Sequence, residues 1–215
     1  QVLMASVLEN LAHAERRRGK QVDGRQLDIV SPDIAKARIE IDQARLVRAD
    51  GELRAHRQRS EELIGIARSG IENLYSLVAG QNYVLLLADR CGVTVEYLGD
   101  EAQKAELRRS GLYMGAEWSE QRAGTCALGA CIETGEPLII HQSDHFDVTH
   151  GGLSCTAAPI YDTGGQLTAV LDISLLSSPR PRASQSLALN LVRQAARACG
   201  GRPKAAAVCS PPGPA

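Results

Sequence analysis

The spacing of hydrophobic residues changes from helical to strand-like near Tyr83. Before this point, residues 2–18 and the segment from Ser31 predict two helices. A third helix is predicted from Ser60 to Gly80, because its apolar residues recur at the spacing of one helical face. These are Leu63, Ile66, Leu74, Leu77 and Val78, with Ala67 and Gly70 inside the stripe and Ile71 at one side. A helix-pairing seam is also suggested by residues seven apart, Ile39, Leu46 and Leu53, although Asp42 and His56 interrupt it.

The strand-like part contains short apolar segments separated by turn residues. "YVLLLAD" is continuously apolar, and "VTVEYL" alternates, so we expect Val93, Val95 and Tyr97 to share a face. Three more strands are predicted at "PLIIH", "LSCTAAPIY" and "LTAVLDIS", and "DTGGQ" joins the last two as a hairpin. Pro159 indicates an edge or a bulge near the end of its strand.

The order of elements predicts the fold class. "EAQKAELRRSG" predicts a short surface helix closed by Gly111, and residues 183–198 predict a closing helix. The apolar stripe of the closing helix is Leu187, Ala188, Leu191, Val192 and Ala195. Helices that lead, strands that follow and a closing helix predict an α+β fold, with helices packed on one antiparallel sheet. We expect an N-terminal helical extension over 1–59, the sheet domain over 60–198 and a disordered tail over 199–215.

The stretch "AEWSEQRAGTCALGACIETGEP" predicts a short helix that Thr125 can cap and Gly135 can end. The residues spaced to face the core are Leu128, Cys131 and Ile132. At about 100° per residue, Cys126 and Cys131 lie about 140° apart and cannot both face one metal. Cys126 lies in the first turn, where a helix lowers the pKa of a thiol. It is therefore a candidate reactive residue, with an ordinary first-turn role as the alternative.

Several other side chains could contact a bound molecule. Trp118, the only tryptophan, could form the wall of a ligand cavity or fix its loop to the core. His141 and His145 are four apart, a spacing that holds metals on helices, but the strand "PLII" before them favours histidines at a loop or pocket edge. The Asp172 carboxylate could be solvated or bind a polar ligand group. Cys155 alternates with apolar residues and is expected to be a packing thiol.

Composition narrows the function classes. The 24 basic and 25 acidic residues give a net charge of -1, so no overall field favours nucleic acid or an acidic membrane. No apolar run approaches the about 20 residues that span a bilayer. The six cysteines are scattered without a C-x-x-C pair, which predicts a reduced, cytoplasmic protein with no structural metal and no cofactor. No Ser-His-Asp order, paired-carboxylate spacing or nucleotide loop stands out, so we expect no enzyme.

Three segments, "WSEQRAGT", "DHF" and "GLSCTAAPIYDTGGQLTAVLDIS", resemble the GAF sensory domain at the front of acetoin-catabolism-type, sigma-54-dependent transcriptional activators. The resemblance runs from Leu63 to Ser174 and includes the closing helix. It implies a GAF-like fold and a cytoplasmic, usually dimeric module that senses a small molecule and controls an ATPase further along the chain. The candidate ligand-binding residues, with Phe146 of "DHF" added, are Trp118, Cys126, His141, His145, Phe146 and Asp172.

The chain also departs from the family pattern. Members usually carry Asn at the position of Cys126, and the lead-in near Ser31 lacks their Ser-Trp-x-x-Cys pattern. No G-x-x-x-x-G-K-[ST] loop or helix-turn-helix pattern follows the domain, so neither ATP hydrolysis nor DNA binding is predicted for these 215 residues. Since the chain begins with Gln1, we expect a piece of a longer regulator or a truncated one.

Four functions are consistent with these patterns. The first is a non-enzymatic sensor that binds a small metabolite between the sheet and residues 116–150 and relays the signal through its terminal helices. The second is a thiol enzyme that reduces free methionine sulfoxide with Cys126 and Cys155. The third is a redox or metal sensor that uses Cys126, His141 and His145, and the fourth is a structural dimerisation module. The matched segments and flanking helices favour the first.

Overall fold

The computed structural model describes residues 50–146, 150–177 and 181–200, which belong to one compact unit. Helix α1 (Asp50–Arg59) leads through Ser60 into helix α2 (Glu61–Val78). The predicted start of α2 is confirmed, and Gly80 follows its end with a φ of 77°. The helices predicted over residues 2–18 and from Ser31, most of the helix-pairing seam, and the predicted tail beyond residue 200 lie outside the described residues.

The predicted antiparallel sheet is confirmed, with the strand order β2-β1-β5-β4-β3 in the described part of the chain. Its strands are β1 (Tyr83–Asp89), β2 (Thr94–Leu98), β3 (Leu138–His141), β4 (Ser154–Tyr161) and β5 (Leu167–Leu175). Every strand lies within one residue of its predicted bounds. Strand β5 occupies the centre because β1 and β4 pair with its two sides.

Two irregularities in strand pairing affect which residues share a face. The register between β1 and β2 shifts after Leu87, which adds one residue to β2. As a result, Val95 packs on one side of the sheet and Tyr97 on the other. The expectation that Val93, Val95 and Tyr97 share a face is therefore wrong. Pro159 lies beyond the β4 residues that pair with β3, just before the second irregularity, which confirms the predicted edge or bulge.

Helices α2 and α6 (Ser186–Cys199) cover one side of the sheet, which we call the helical face. Its core includes Ile64, Ala67, Ile71, Leu74, Val78, Leu85, Leu87, Ile160, Leu171, Ile173, Val192 and Ala196. Ile71 lies at the centre of the buried stripe of α2, whereas Leu77 is 56% exposed and Leu187 of α6 is 69% exposed. The predicted core positions of Leu77 and Leu187 are wrong, because both helices carry apolar residues on two faces and periodicity does not choose between them.

Short helices and connecting segments cover the other side of the sheet, which we call the loop face. These helices are α3 (Lys104–Arg109), α4 (Glu120–Ala123) and α5 (Ala127–Thr134). The core here includes Val84, Leu86, Leu107, Leu112, Trp118, Leu128, Cys131, Cys155, Ala157 and Val170. Helix α5 ends at Gly135 in the left-handed conformation, as predicted, but its N-cap is Cys126 rather than Thr125. None of the described helices has both the length and the apolar character needed to cross a bilayer.

Candidate functional site

The segment that carries Trp118 runs beside the turn between β1 and β2. The main-chain N–H of Trp118 donates to the carbonyl oxygen of Gly92 at 2.7 Å, and the main chains of Glu117 and Val93 form an antiparallel β-bridge. Gly92 has a φ of 81°, and a Cβ there would lie 2.8 Å from the nitrogen of Ser119, so the approach requires glycine. The Trp118 side chain is 6% exposed, and its Nε1 has no hydrogen-bond partner among the described residues. A buried indole N–H in this state suits an acceptor on a bound molecule.

Cys126 joins helix α5 to the main chain of Trp118. Its Sγ accepts a hydrogen bond from the N–H of Gly129 at 3.4 Å and donates to the carbonyl oxygen of Trp118 at 3.5 Å. An acceptor at this position caps the free N–H groups of the first helical turn. Asn, which the resembling family usually carries here, has an acceptor and a donor for the same two bonds. The geometry of Cys126 therefore supports a capping role.

Two histidines and a cysteine continue from Trp118 across the loop face. The Trp118 ring centroid lies 5.5 Å from that of His150, which lies 6.0 Å from that of His145. Nδ1 of His145 lies 3.0 Å from the carbonyl oxygen of Gln142, and its Nε2 lies 3.3 Å from Sγ of Cys155. Because a carbonyl oxygen only accepts, we assign the ring proton to Nδ1, and Nε2 accepts from the thiol. Both histidines are buried.

A carboxyl group lies at the centre of the sheet on the same face. Asp172 of β5 opposes Leu86 and Ala157, which belong to the loop-face core, and it is 1% exposed. Its Oδ2 accepts from the hydroxyl of Ser174 at 2.6 Å, and its Oδ1 has no hydrogen-bond partner among the described residues. Burial raises the pKa of Asp172 from 3.8 to about 7, against the opposing effects of hydrogen bonds from the Ser174 side chain and the Thr156 main chain. Near neutral pH the group is therefore protonated in a large fraction of molecules and can donate as well as accept.

These contacts form a line of polar side chains through an apolar core, which we call the buried polar row. Cys155 completes it because it stands opposite Ser174 in the pairing of β4 with β5. The members of the row, in order, are Trp118, His150, His145, Cys155, Ser174 and Asp172. The structure thus brings Trp118, His145 and Asp172 of the predicted set to one face, with Cys126 beside the main chain of Trp118.

The two other predicted residues lie elsewhere. Nδ1 of His141 is hydrogen-bonded to the hydroxyl of Ser154, the neighbour of Cys155 along β4. Since consecutive residues of a strand point to opposite sides, His141 lies on the side of the sheet away from the row. Phe146 is 74% exposed and packs against Gly124 at the surface.

The predicted ligand-binding set lacks three members of the row, His150, Ser174 and Cys155, the last of which was expected to be a packing thiol. His150 carries no periodic signal, because it lies five residues after His145 in a segment without strand or helix spacing. Ser174 had a usable signal, since it is two residues from Asp172 on a strand and must share its face. Contacts between distant segments, such as that of Trp118 with His150, are formed only in the folded chain.

One group among the described residues has ligand atoms close enough to hold a metal. His56, Asp89 and Cys91 place one ligand atom each within 4.8 Å of one another. Cys91 is disulfide-bonded, so its sulfur is not a thiolate ligand, and the expectation of six reduced cysteines is wrong at this position. His141 and His145 lie on opposite sides of the sheet and belong to no such group in the described residues.

The free thiols are poorly suited to nucleophilic chemistry. The free cysteines among the described residues are Cys126, Cys131, Cys155 and Cys199, and all are buried. Burial raises the pKa of Cys131 to about 12 and raises that of Cys155 well above its usual value. Because the thiolate is the reactive form, these thiols are unreactive near neutral pH. The geometry therefore gives no support to a thiol enzyme that uses Cys155.

A concave surface lies along α1 and α2, away from the buried polar row. This open groove is lined by Arg57, Gln58, Glu61, Ile64, Gly65 and Arg68. Most of its walls are charged or polar side chains that water also reaches. This groove is therefore the alternative surface at which a small molecule could bind.

Comparisons with known proteins agree with this architecture. The GAF domain family model matches residues 62–202. The acetoin catabolism regulatory protein of Cupriavidus necator is 55% identical over 141 residues, which cover 66% of this chain and 21% of that protein. The acetoin dehydrogenase operon transcriptional activator AcoR of Bacillus subtilis is 32% identical over 108 residues, 50% of this chain and 18% of that protein. The chain thus spans about a fifth of the length of these curated relatives.

A solved structure shares the fold. The crystal structure of the E. coli DhaR(N)-DhaL complex contains a chain that superposes with a TM-score of 0.62 at 20% identity, covering 77% of this chain and 60% of that one. The family match covers the sheet and the helices on both of its faces, and the curated relatives are transcriptional regulators. The chain therefore belongs to the GAF domain family, as a regulatory sensing domain.

Proposed function

We propose that this GAF domain binds a small uncharged metabolite on its loop face, beside Trp118, and leaves it chemically unchanged. The observation that carries the proposal is the buried Nε1 of Trp118, one of several buried side-chain polar atoms that have no hydrogen-bond partner in the described part of the chain. Oδ1 of Asp172 is another of these atoms. Buried polar groups in proteins are nearly always hydrogen-bonded. A bound molecule with a hydrogen-bond acceptor would satisfy the indole N–H of Trp118.

The charges of the buried polar row favour an uncharged effector. The row includes no Lys or Arg, and its carboxyl group is protonated in a large fraction of molecules near neutral pH. An anion bound here would lose its hydration without gaining an opposite charge, which is costly. The apolar side chains around the row, among them Leu86, Leu112 and Val170, favour a ligand with methyl or methylene groups.

Acetoin is the first compound to test. It is a small neutral hydroxyketone, so its carbonyl oxygen can accept from Nε1 of Trp118 and its hydroxyl can bond with a further polar side chain of the row. The name of the Cupriavidus necator relative refers to acetoin catabolism, and 55% identity supports a related effector for this chain. The predicted contacts of Cys126, His141 and Phe146 with the ligand are secondary in this arrangement, because none of these side chains belongs to the row.

We also propose that the domain is the front end of a sigma-54-dependent activator that acts in the cytoplasm as a homodimer. Its similarity to regulators about five times longer than the matched segment supports ATPase and DNA-binding parts elsewhere in the full protein. Effector binding would shift the equilibrium between conformations of the helices that begin and end the domain, α1 with α2 and α6. This shift would control the ATPase and DNA-binding parts. In this proposal the chain itself contacts neither nucleic acid nor membrane.

Calorimetric titration tests the effector proposal. Wild-type protein is expected to bind acetoin, and Trp118→Phe to bind it about two- to tenfold more weakly, the usual effect of losing one hydrogen bond. Leu77→Ala, at an exposed position of α2, is the matched control and should bind as wild type does. Lactate, an anion of similar size, should not bind. A folded wild-type protein that binds neither acetoin nor any of a panel of small neutral metabolites would contradict the proposal.

A further inference from the structure

Helix α1 is attached to the turn that holds Trp118 through a buried histidine and a buried aspartate. His56 and Asp89 are each 5% exposed, and Nδ1 of His56 donates to Oδ2 of Asp89. Oδ1 of Asp89 accepts from the N–H groups of Cys91 and Val93, at 2.9 and 3.1 Å. One carboxylate therefore shapes the turn between β1 and β2 and binds α1 at the same time.

The same turn holds the main chain of Trp118. The carbonyl oxygen of Gly92, between the two N–H groups that Asp89 binds, accepts from the Trp118 N–H at 2.7 Å. A Cβ at Gly92 would meet the Ser119 nitrogen at 2.8 Å, so the two segments are in close contact and a shift of one must move the other. His56 thus reaches Trp118 through Asp89 and one short turn.

A second contact joins α1 to the Trp118 segment independently. Leu53 lies one helical turn before His56. A Cβ at Gly115 would lie 3.1 Å from Cδ2 of Leu53. The Gly115 N–H donates to the carbonyl oxygen of Thr94 at 2.9 Å, and the Thr94 N–H donates to that of Ala116, also at 2.9 Å. Helix α1 therefore packs directly on the ribbon formed by residues 92–94 and 115–118.

We propose that His56 and Asp89 are positioning residues for Trp118, so that the docking of helix α1 sets the shape of the effector site. The expected effect of α1 on effector affinity rests on the proposed function. The effect of α1 on the position of Trp118 does not depend on it. Because coupling between two sites is reciprocal, an effector that orders the Trp118 segment also strengthens the docking of α1. This gives a route from the loop face to the helix that begins the domain.

Removing His56 should loosen this connection without removing the turn. Asp89 keeps its two bonds to the turn in His56→Ala and loses only its bond to α1. In His56→Asn the amide nitrogen can take the place of Nδ1 and donate to the same carboxylate. Arg57→Ala is the matched control, because Arg57 is the next residue of α1 and pairs with Glu96 at an exposed site, 3.7 Å apart.

The first measurement needs no ligand. Trp118 is the only tryptophan, so acrylamide quenching of its emission reports the accessibility of this one side chain. His56→Ala should raise the quenching constant at least about twofold through local opening, while His56→Asn and Arg57→Ala stay close to wild type. If His56→Ala does not fold, Leu53→Ala replaces it with the same expectation. Wild-type quenching in a variant shown by circular dichroism to be folded would overturn the proposal.

The second measurement uses acetoin and calorimetry. His56→Ala should weaken acetoin binding about two- to tenfold, with affinity restored in His56→Asn and unchanged in Arg57→Ala. An unchanged dissociation constant in His56→Ala would overturn the link between α1 and the effector site. Absence of acetoin binding in the wild type would instead count against acetoin as effector, and the quenching result would still decide the position of Trp118.

Discussion

Asp172 makes the stability of the domain depend on pH in a direction opposite to that of an ordinary paired carboxylate. Burial raises its pKa from 3.8 to about 7, so the folded protein keeps a proton that the unfolded chain releases. The free energy of unfolding should therefore be highest below about pH 4, fall as the pH rises to about 7 and then level off. Asp172→Asn cannot titrate and should lack this decline. At pH 8 it should be more stable than wild type by up to about 4 kcal/mol.

Urea unfolding at several pH values between 4 and 8 measures this dependence. Glu133→Gln, a change at an exposed helix residue, serves as the control and should follow the wild-type profile. The same decline in Asp172→Asn as in wild type would show that another group causes it.

Cys126 has a capping role that an amide can also fill. Cys126→Ala removes both sulfur contacts and should lower the free energy of unfolding by about 1 kcal/mol, the usual cost of losing a cap. Cys126→Asn should be at least as stable as wild type, because oxygen and nitrogen form stronger hydrogen bonds than sulfur to Gly129 and Trp118. Denaturant unfolding followed by Trp118 emission compares the three proteins. A Cys126→Asn protein less stable than Cys126→Ala would contradict the capping role.

The buried stripe of α2 can be checked with two leucines of the same helix. Leu74 is 3% exposed in the helical-face core, whereas Leu77 is 56% exposed. We expect Leu74→Ala to lower the free energy of unfolding by about 2–4 kcal/mol and Leu77→Ala by less than about 0.5 kcal/mol. Thermal and urea unfolding of both variants give the comparison. Equal losses would mean that the helix presents a different face to the sheet.

The turn between β1 and β2 depends on close approach as well as on backbone conformation. Gly92 and Gly165 have similar φ angles of 81° and 75°, but only a Cβ at Gly92 would collide with main chain, at Ser119. Gly165→Ala should therefore cost about 1 kcal/mol for backbone strain alone, and Gly92→Ala clearly more. Gly92→Ala should also alter Trp118 emission, which Gly165→Ala should not. Similar unfolding midpoints for the two variants would argue against tight packing at Gly92.

At the scale of elements, the sequence predicts strands better than faces. Alternation and turn residues place all five strands within one residue, because a strand's pattern is local. The local sequence does not determine which face of α2 is buried. Leu77 and Leu74 are equally apolar, and only the position of the sheet distinguishes them. The bulge that separates Val95 from Tyr97 is also set by pairing with β1 and leaves no mark in β2 itself.

At the scale of the described domain, the sheet separates an apolar face from a face that carries polar side chains. The helical face is an apolar core between the sheet, α2 and α6, whereas the loop face contains the buried polar row. Trp118 and Asp172 could be chosen from the sequence because each is chemically unusual in its segment. The buried polar row could not be predicted from the sequence, because it joins residues as far apart in the chain as Trp118, His150 and Ser174. His56 was visible only as an interruption of an apolar pattern, and its partner Asp89 lies 33 residues away.

Hydrogen exchange with and without acetoin tests most directly the claim that the loop face holds the effector. The account predicts the strongest slowing of exchange in residues 116–123 and 153–157, which contain Trp118 and Cys155, and a weaker slowing in α1 and α2 through the coupling of α1 to the Trp118 segment. Trp118→Phe should reduce this protection at the same acetoin concentration. Protection confined to the groove, with the loop face unaffected under saturating binding, would contradict the account.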